Sequence, residues 1–107
     1  MPYTVTGRPS LTIPINGSTS NVTADFDAVA ITIATPATIT ASQLKVEVEM
    51  TSSGTNFVTL QSGGSDVVLV ASKATIIAPP TFKQMRLTST ATEGQAVVCQ
   101  LSQTIQV

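Results

Sequence analysis

The chain has 107 residues, the size of one domain of about 100–150 residues, with 42% hydrophobic and only 10% charged side chains. Charged residues normally approach roughly 25%; here hydroxyl groups replace them, since roughly a quarter of the chain is Ser or Thr. A net charge of −1 and a pI near 5.0 give no general attraction to nucleic acid or to an anionic membrane, so the expected partner is protein or glycan.

Met1–Ser10 contains Pro2, Gly7, Arg8 and Pro9 and no charged start followed by an apolar run, so no signal peptide is expected. No apolar stretch reaches the ~20 residues of a membrane span. The expectation is a soluble product of the cytoplasm, or of an assembly built there. Residues 1–10 are read as an N-terminal extension, either a frayed tail or an arm reaching a neighbouring protein, and 11–107 as one β domain.

From Leu11 onward the apolar residues recur at period two. Leu11, Ile13 and Ile15 alternate with Thr12 and Pro14; Pro14 lacks an N–H, which places this strand at a sheet edge or ends it there. Asn16-Gly17-Ser18 reads as a turn. Both it and Asn21-Val22-Thr23 are glycosylation sequons that matter only in a secretory pathway. Asp25 and Asp27, flanking Phe26, offer two of the six to eight oxygens that Ca²⁺ needs; too few alone, they read as solvated turn residues.

Val29, Ile31 and Ile33 form the next alternating run, and Leu44, Val46, Val48 and Met50 the clearest one, with Lys45, Glu47 and Glu49 on the opposite face. Glu47 and Glu49 lie roughly 7 Å apart by strand geometry, a spacing that glycosidases use. The alternation nevertheless puts them on the solvent face, in a polar ladder with Lys45. Further strands are expected around Phe57–Leu60, Val67–Ala71, Ala74–Ala78 and Met85–Ser89, separated by Gly54, by Gly63-Gly64 and by Pro79-Pro80. Phe57 and Phe82 read as core anchors. Arg86 points away from Met85 and Leu87, to pair with Glu47 or Glu49 or to grip a partner's carboxylate; Lys83 lies beside it in a small basic cluster.

The last strand runs from about Gln95 to the C-terminus, with Val97, Cys99, Leu101, Ile105 and Val107 on one side. Cys99 is the only cysteine and there is no histidine. No intrachain disulfide or zinc cluster can form, and the thiol reads as a buried core group without a base to activate it.

Seven to eight short strands with Gly and Pro punctuation predict an all-β, antiparallel β-sandwich. The order of landmarks is the Pro36 loop, strand Leu44–Met50, Asn56-Phe57-Val58, Gly63-Gly64, Ile76 to Phe82, and Met85-Arg86-Leu87-Thr88-Ser89. This order resembles that of small virion-associated β-sandwich proteins of tailed bacteriophages. The resemblance implies a jelly-roll or discoidin-like sandwich carried on a virion. It further implies a non-enzymatic capsid decoration or cement protein docking on the major capsid protein or other virion proteins, with a tail- or fibre-associated glycan- or receptor-binding module as the alternative. No catalytic residue, metal or cofactor comes with it. A homo-oligomer is expected, and Tyr3, Arg8, Pro9, Lys83 and Arg86 are the candidate interaction residues.

Overall fold

The computed structural model describes residues 2–106. Ten β-strands and no helix form among them: β1 (Tyr3–Ile13), β2 (Ala30–Ala34), β3 (Leu44–Glu49), β4 (Val58–Thr59), β5 (Gln61–Ser62), β6 (Ser65–Asp66), β7 (Val68–Leu69), β8 (Ala74–Ile77), β9 (Gln84–Ser89) and β10 (Val97–Gln106). The chain is an antiparallel β-sandwich, as the alternation and the β-branched content predict. Four of the strands are two-residue pieces, so more elements appear than the seven or eight expected. Val107 and Met1 lie outside the described residues.

The first sheet has the order β1-β10-β2-β8. In the second, β3 is central, flanked on one side by β9 and on the other by β4 and β7. β4 and β7 run along the same edge of β3, and the β5–β6 hairpin is an excursion between them. Its turn is Gly63-Gly64, both at positive φ (62° and 84°), the left-handed conformation that two-residue hairpin turns favour and that glycine adopts without a Cβ penalty.

The core is filled by the inward residues of both sheets. Leu11, Ile13, Ile31, Ile33, Val97, Cys99 and Leu101 come from the first, and Leu44, Val46, Val48, Leu69, Met85 and Leu87 from the second. Phe26 and Phe82 meet edge to face at 5.8 Å and close one end. Ile15 and Met50, expected to continue the inward alternation, are exposed, because β1 ends before Pro14 and β3 ends at Glu49. Pro14 accepts the Gly17 amide in a tight turn.

Residues 18–26 close one side of the sandwich without forming a regular strand. Their backbone runs along β9, with Ser20, Thr23 and Phe26 amides donating to Leu87, Met85 and Lys83 carbonyls. The return bonds are made by side chains: the Leu87 and Met85 amides donate to the Ser20 and Thr23 hydroxyls. Two buried hydroxyls thus stand in for backbone carbonyls, satisfying amides that are costly to leave unpaired.

Regular structure starts at Tyr3, not Leu11. The expected N-terminal extension is the first half of an edge strand, paired with β10 from Tyr3↔Gln106 to Arg8↔Leu101. A bulge then places Pro9 and Ser10 opposite Gln100, and pairing resumes at Leu11↔Cys99. Pro9 broke the alternation in the sequence, which is why the strand could not be followed back beyond Leu11.

Candidate interaction surface

The bulge decides what the first sheet shows to solvent. Tyr3 and Val5 have the same odd parity as the buried Leu11 and Ile13, so an unbroken strand would put all four on one face. One extra residue reverses the sides of everything before it. Tyr3, Val5 and Gly7 therefore turn outward, and Arg8 turns toward the inner side, where its partner Leu101 is buried.

The register then defines the outer face row by row. Val5 lies beside Thr104 and Ala30; Gly7 beside Ser102, Thr32 and Ile76; Gln100 beside Ala34 and Ala74; and Thr12 beside Val98. Tyr3 (61% exposed), Val5 (68%), Ile76 (67%) and Val98 (41%) are its large apolar groups. Arg8 is the only charged residue on the four strands, and it faces the other way. This sheet face is free of charge and open over Gly7.

The opposite face of the sandwich differs in kind. It carries Lys45, Glu47, Arg86 and the nearby Asp66, and each is paired within the chain. Arg86 Nε donates to Glu47 Oε1 at 2.7 Å and its guanidinium lies 4.3 Å over the Phe57 ring. Lys45 Nζ lies 3.1 Å from Asp66. Burial alone would raise the Glu47 carboxyl, but hydrogen bonds from Arg86 and Thr88 outweigh it and hold the group below the ordinary carboxylate range.

No protein-family model, curated protein or solved structure matches this chain.

The five sequence candidates do not converge on one site. Tyr3 is at the corner of the charge-free face. Arg8 is a lock on the closed side: its guanidinium donates to the Ala24 carbonyl at 2.9 Å, the Asp25 carbonyl at 3.3 Å and Gln103 Oε1 at 2.9 Å, and lies 4.3 Å over the Phe26 ring. Burial lowers its pKa, with the Asp25 charge opposing. Pro9 sits in the bulge. Lys83 is an exposed side chain in the loop before β9, its amide bound to the Glu49 carbonyl. Arg86 is committed to Glu47, one of the two carboxylates expected for it. Phe57 is a half-buried cover for Arg86 and not a core anchor, whereas Phe82 is in the core.

Asp25 accepts a hydrogen bond from the Ser52 hydroxyl. Among the described residues, it and Asp27 form no group of three or more potential metal ligands. Cys99 is fully buried, and burial pushes its thiol up to about 11.

Two acids carry more than the sequence revealed. Glu49, expected on the solvent face, is buried because the loop 51–55 folds back over it: Thr51 and Ser53 hydroxyls and the Gly54 amide all donate to its carboxylate. The Ser53 bond is the main cause of its lowered pKa. Glu93 is fully buried and accepts from the Thr40 amide (2.7 Å), the Ala41 amide (3.1 Å) and the Ser89 hydroxyl (2.6 Å). Burial would raise its pKa; these donors overcome that and lower it. Only the flanking Gly94 hinted at a turn here, and nothing in the local pattern marked Glu93 as buried.

Proposed function

We propose that this chain is a non-enzymatic structural protein of a virion, most concretely a capsid decoration protein, that docks on a protein lattice through the outer face of its β1-β10-β2-β8 sheet. The carrying observation is that this face has no charge, while the other face neutralises its own charges in pairs. Burying an uncharged sheet face costs no unpaired-ion penalty, and Tyr3, Val5, Ile76 and Val98 supply the apolar area that gains from it. Weak contacts suffice when many copies meet a repeating surface. The virion assignment is supported by the landmark order that resembles small phage sandwich proteins. Edge strands and apolar sheet area, with carboxylates engaged as structural acceptors, suit adhesion rather than turnover.

The test is co-sedimentation of the purified chain with empty capsids, together with mass spectrometry of purified particles. The proposal expects saturable binding and a constant copy number per particle. A chain that neither pellets with capsids nor occurs in particles contradicts it.

A further inference from the structure

Two residue types in the turn after β1 are dictated by the fold. The Gly17 amide donates to the Pro14 carbonyl at 2.9 Å, and Asn16 has φ of +63°. Positive φ at the third residue alone is the pattern of a type II turn, which calls for Gly or Asn there. Gly17 is fixed by space: a Cβ would lie 2.8 Å from Pro14 Cγ and 3.0 Å from the Pro14 carbonyl oxygen. The turn therefore carries Asn-Gly, and an asparagine followed by a residue without a Cβ is the least hindered toward attack by the next backbone nitrogen on its own side chain.

In that reaction the Gly17 nitrogen bonds to Asn16 Cγ, the Cγ–NH₂ bond breaks, and the former amide proton leaves with the NH₂ as ammonia. Water then opens the cyclic imide at one carbonyl or the other. One opening gives Asp; the other gives isoaspartate, whose backbone runs through Cβ and Cγ. Ring closure needs a free Gly17 N–H, and Asn16 Cβ eclipsed with the Gly17 nitrogen about the Cα–C bond. The folded turn supplies neither. A ψ of about 0° at this turn position holds the two atoms apart, and the Gly17 N–H is committed to Pro14. The same segment is clamped further: the Asn16 amide donates to the Glu93 carbonyl at 2.8 Å, the Glu93 amide to Gly17 at 2.9 Å and the Ser89 amide to Ser18 at 2.7 Å. We propose that Asn16 is a latent deamidation site, closed by the folded turn and opened by unfolding, and that isoaspartate formed there impairs the refolded state.

The other two asparagines are shielded. Asn21 and Asn56 precede Val22 and Phe57, whose side chains crowd the attacking nitrogen. The Asn21 side chain is also held, accepting the Thr12 amide at 2.8 Å and donating to the Ser10 carbonyl at 3.3 Å. The cost of the modified backbone follows from what Asn16 touches. Isoaspartate inserts one methylene between the Asn16 amide and the Gly17 carbonyl, the two groups that pair with the Glu93 backbone. The buried Glu93 carboxylate in turn holds Thr40, Ala41 and Ser89, so a misfit at residue 16 reaches the anchor that ties residues 40–41 to the end of β9. Asp keeps the backbone length and tolerates positive φ, so it keeps the turn. Asn16 lies outside the four strands of the docking face, which makes the modification independent of the docking reading.

The test is incubation of the full chain in mildly alkaline buffer, either native or unfolded in guanidinium chloride, with peptide mass spectrometry locating each Asn-to-Asp mass gain. The gain is expected first at Asn16, and at least about tenfold more slowly in the native chain, because only the open fraction of the turn reacts. After the denaturant is removed, chains carrying isoaspartate should refold to a form with a lower Tm than Asn16→Asp made by expression, which shares the added charge but not the added methylene. Equal rates in native and unfolded chains overturn the proposal. So does a gain at Asn21 or Asn56 ahead of Asn16, or a refolded isoaspartate form no less stable than Asn16→Asp.

Discussion

Replacing Glu93 with Ala should destabilise the sandwich more than any other single loss of charge. The carboxylate is fully buried and ties the Thr40–Ala41 backbone to Ser89 at the end of β9, while the Thr40 hydroxyl accepts the Gly94 amide at 3.0 Å. Its removal strands a buried amide at Ala41, a partly buried one at Thr40 and the Ser89 hydroxyl. At about 1–3 kcal/mol for each orphaned group, with the hydroxyl free to turn to another acceptor, the loss is about 3–5 kcal/mol. Against a total stability of about 5–15 kcal/mol, Tm should fall by about 12–20 °C. Urea unfolding followed by far-UV circular dichroism measures this directly, with an unchanged m-value as the sign that the folded state is otherwise intact. Because the folded-state pKa is lowered, the carboxylate stabilises the fold above the ordinary Glu pKa, and that contribution is lost as pH falls through the folded value. The gap between wild type and variant should therefore narrow in acid. A loss below about 1 kcal/mol at neutral pH, or a gap that widens in acid, would refute the reasoning.

The same sign applies to Glu47, Glu49 and Asp66, whose folded pKa values are also lowered. Stability should be flat near neutrality and fall as pH drops below the ordinary carboxylate range, which an acid titration of Tm checks. Arg86→Ala removes a half-exposed ion pair and a ring contact with Phe57, so it should cost only about 1–2 kcal/mol, with Glu47–Arg86 coupling under about 1 kcal/mol in a double-mutant cycle. Cys99 should resist a thiol reagent at pH 8 in the native state and react on unfolding, since its thiol is buried and its pKa pushed up to about 11. Val5→Asp should leave Tm nearly unchanged at a site that is 68% exposed, while abolishing capsid binding.

The strands β2, β3, β9 and β10 were legible because each buries one face, so apolar residues alternate with polar ones. Pro14 marked the end of β1, and Cys99 was placed in the core by its register with Val97 and Leu101. The first half of β1 was not legible, because its inward residues, Thr4, Thr6 and Arg8, are all polar, and because the Pro9 bulge reversed the parity of Tyr3 and Val5. Residues 18–26 carry no alternation, since their pairing with β9 is completed by Ser20 and Thr23 side chains. Glu49 and Glu93 escaped notice for a related reason: an acid's burial depends on donors brought by loops, and period-two patterning says nothing about loops. The charge-free face was half visible, as a low charge content; only the register showed that the few charges present are gathered elsewhere.

The central claim is that the face of β1, β10, β2 and β8 is the docking surface. A reconstruction of the particle that traces the strands of this 43 × 27 × 26 Å domain tests it most directly. The account predicts Val5, Ser102 and Thr32 against the lattice, with the Lys45, Glu47 and Arg86 face turned to solvent. Density with the paired-charge face on the lattice, or particles without the chain, would contradict it.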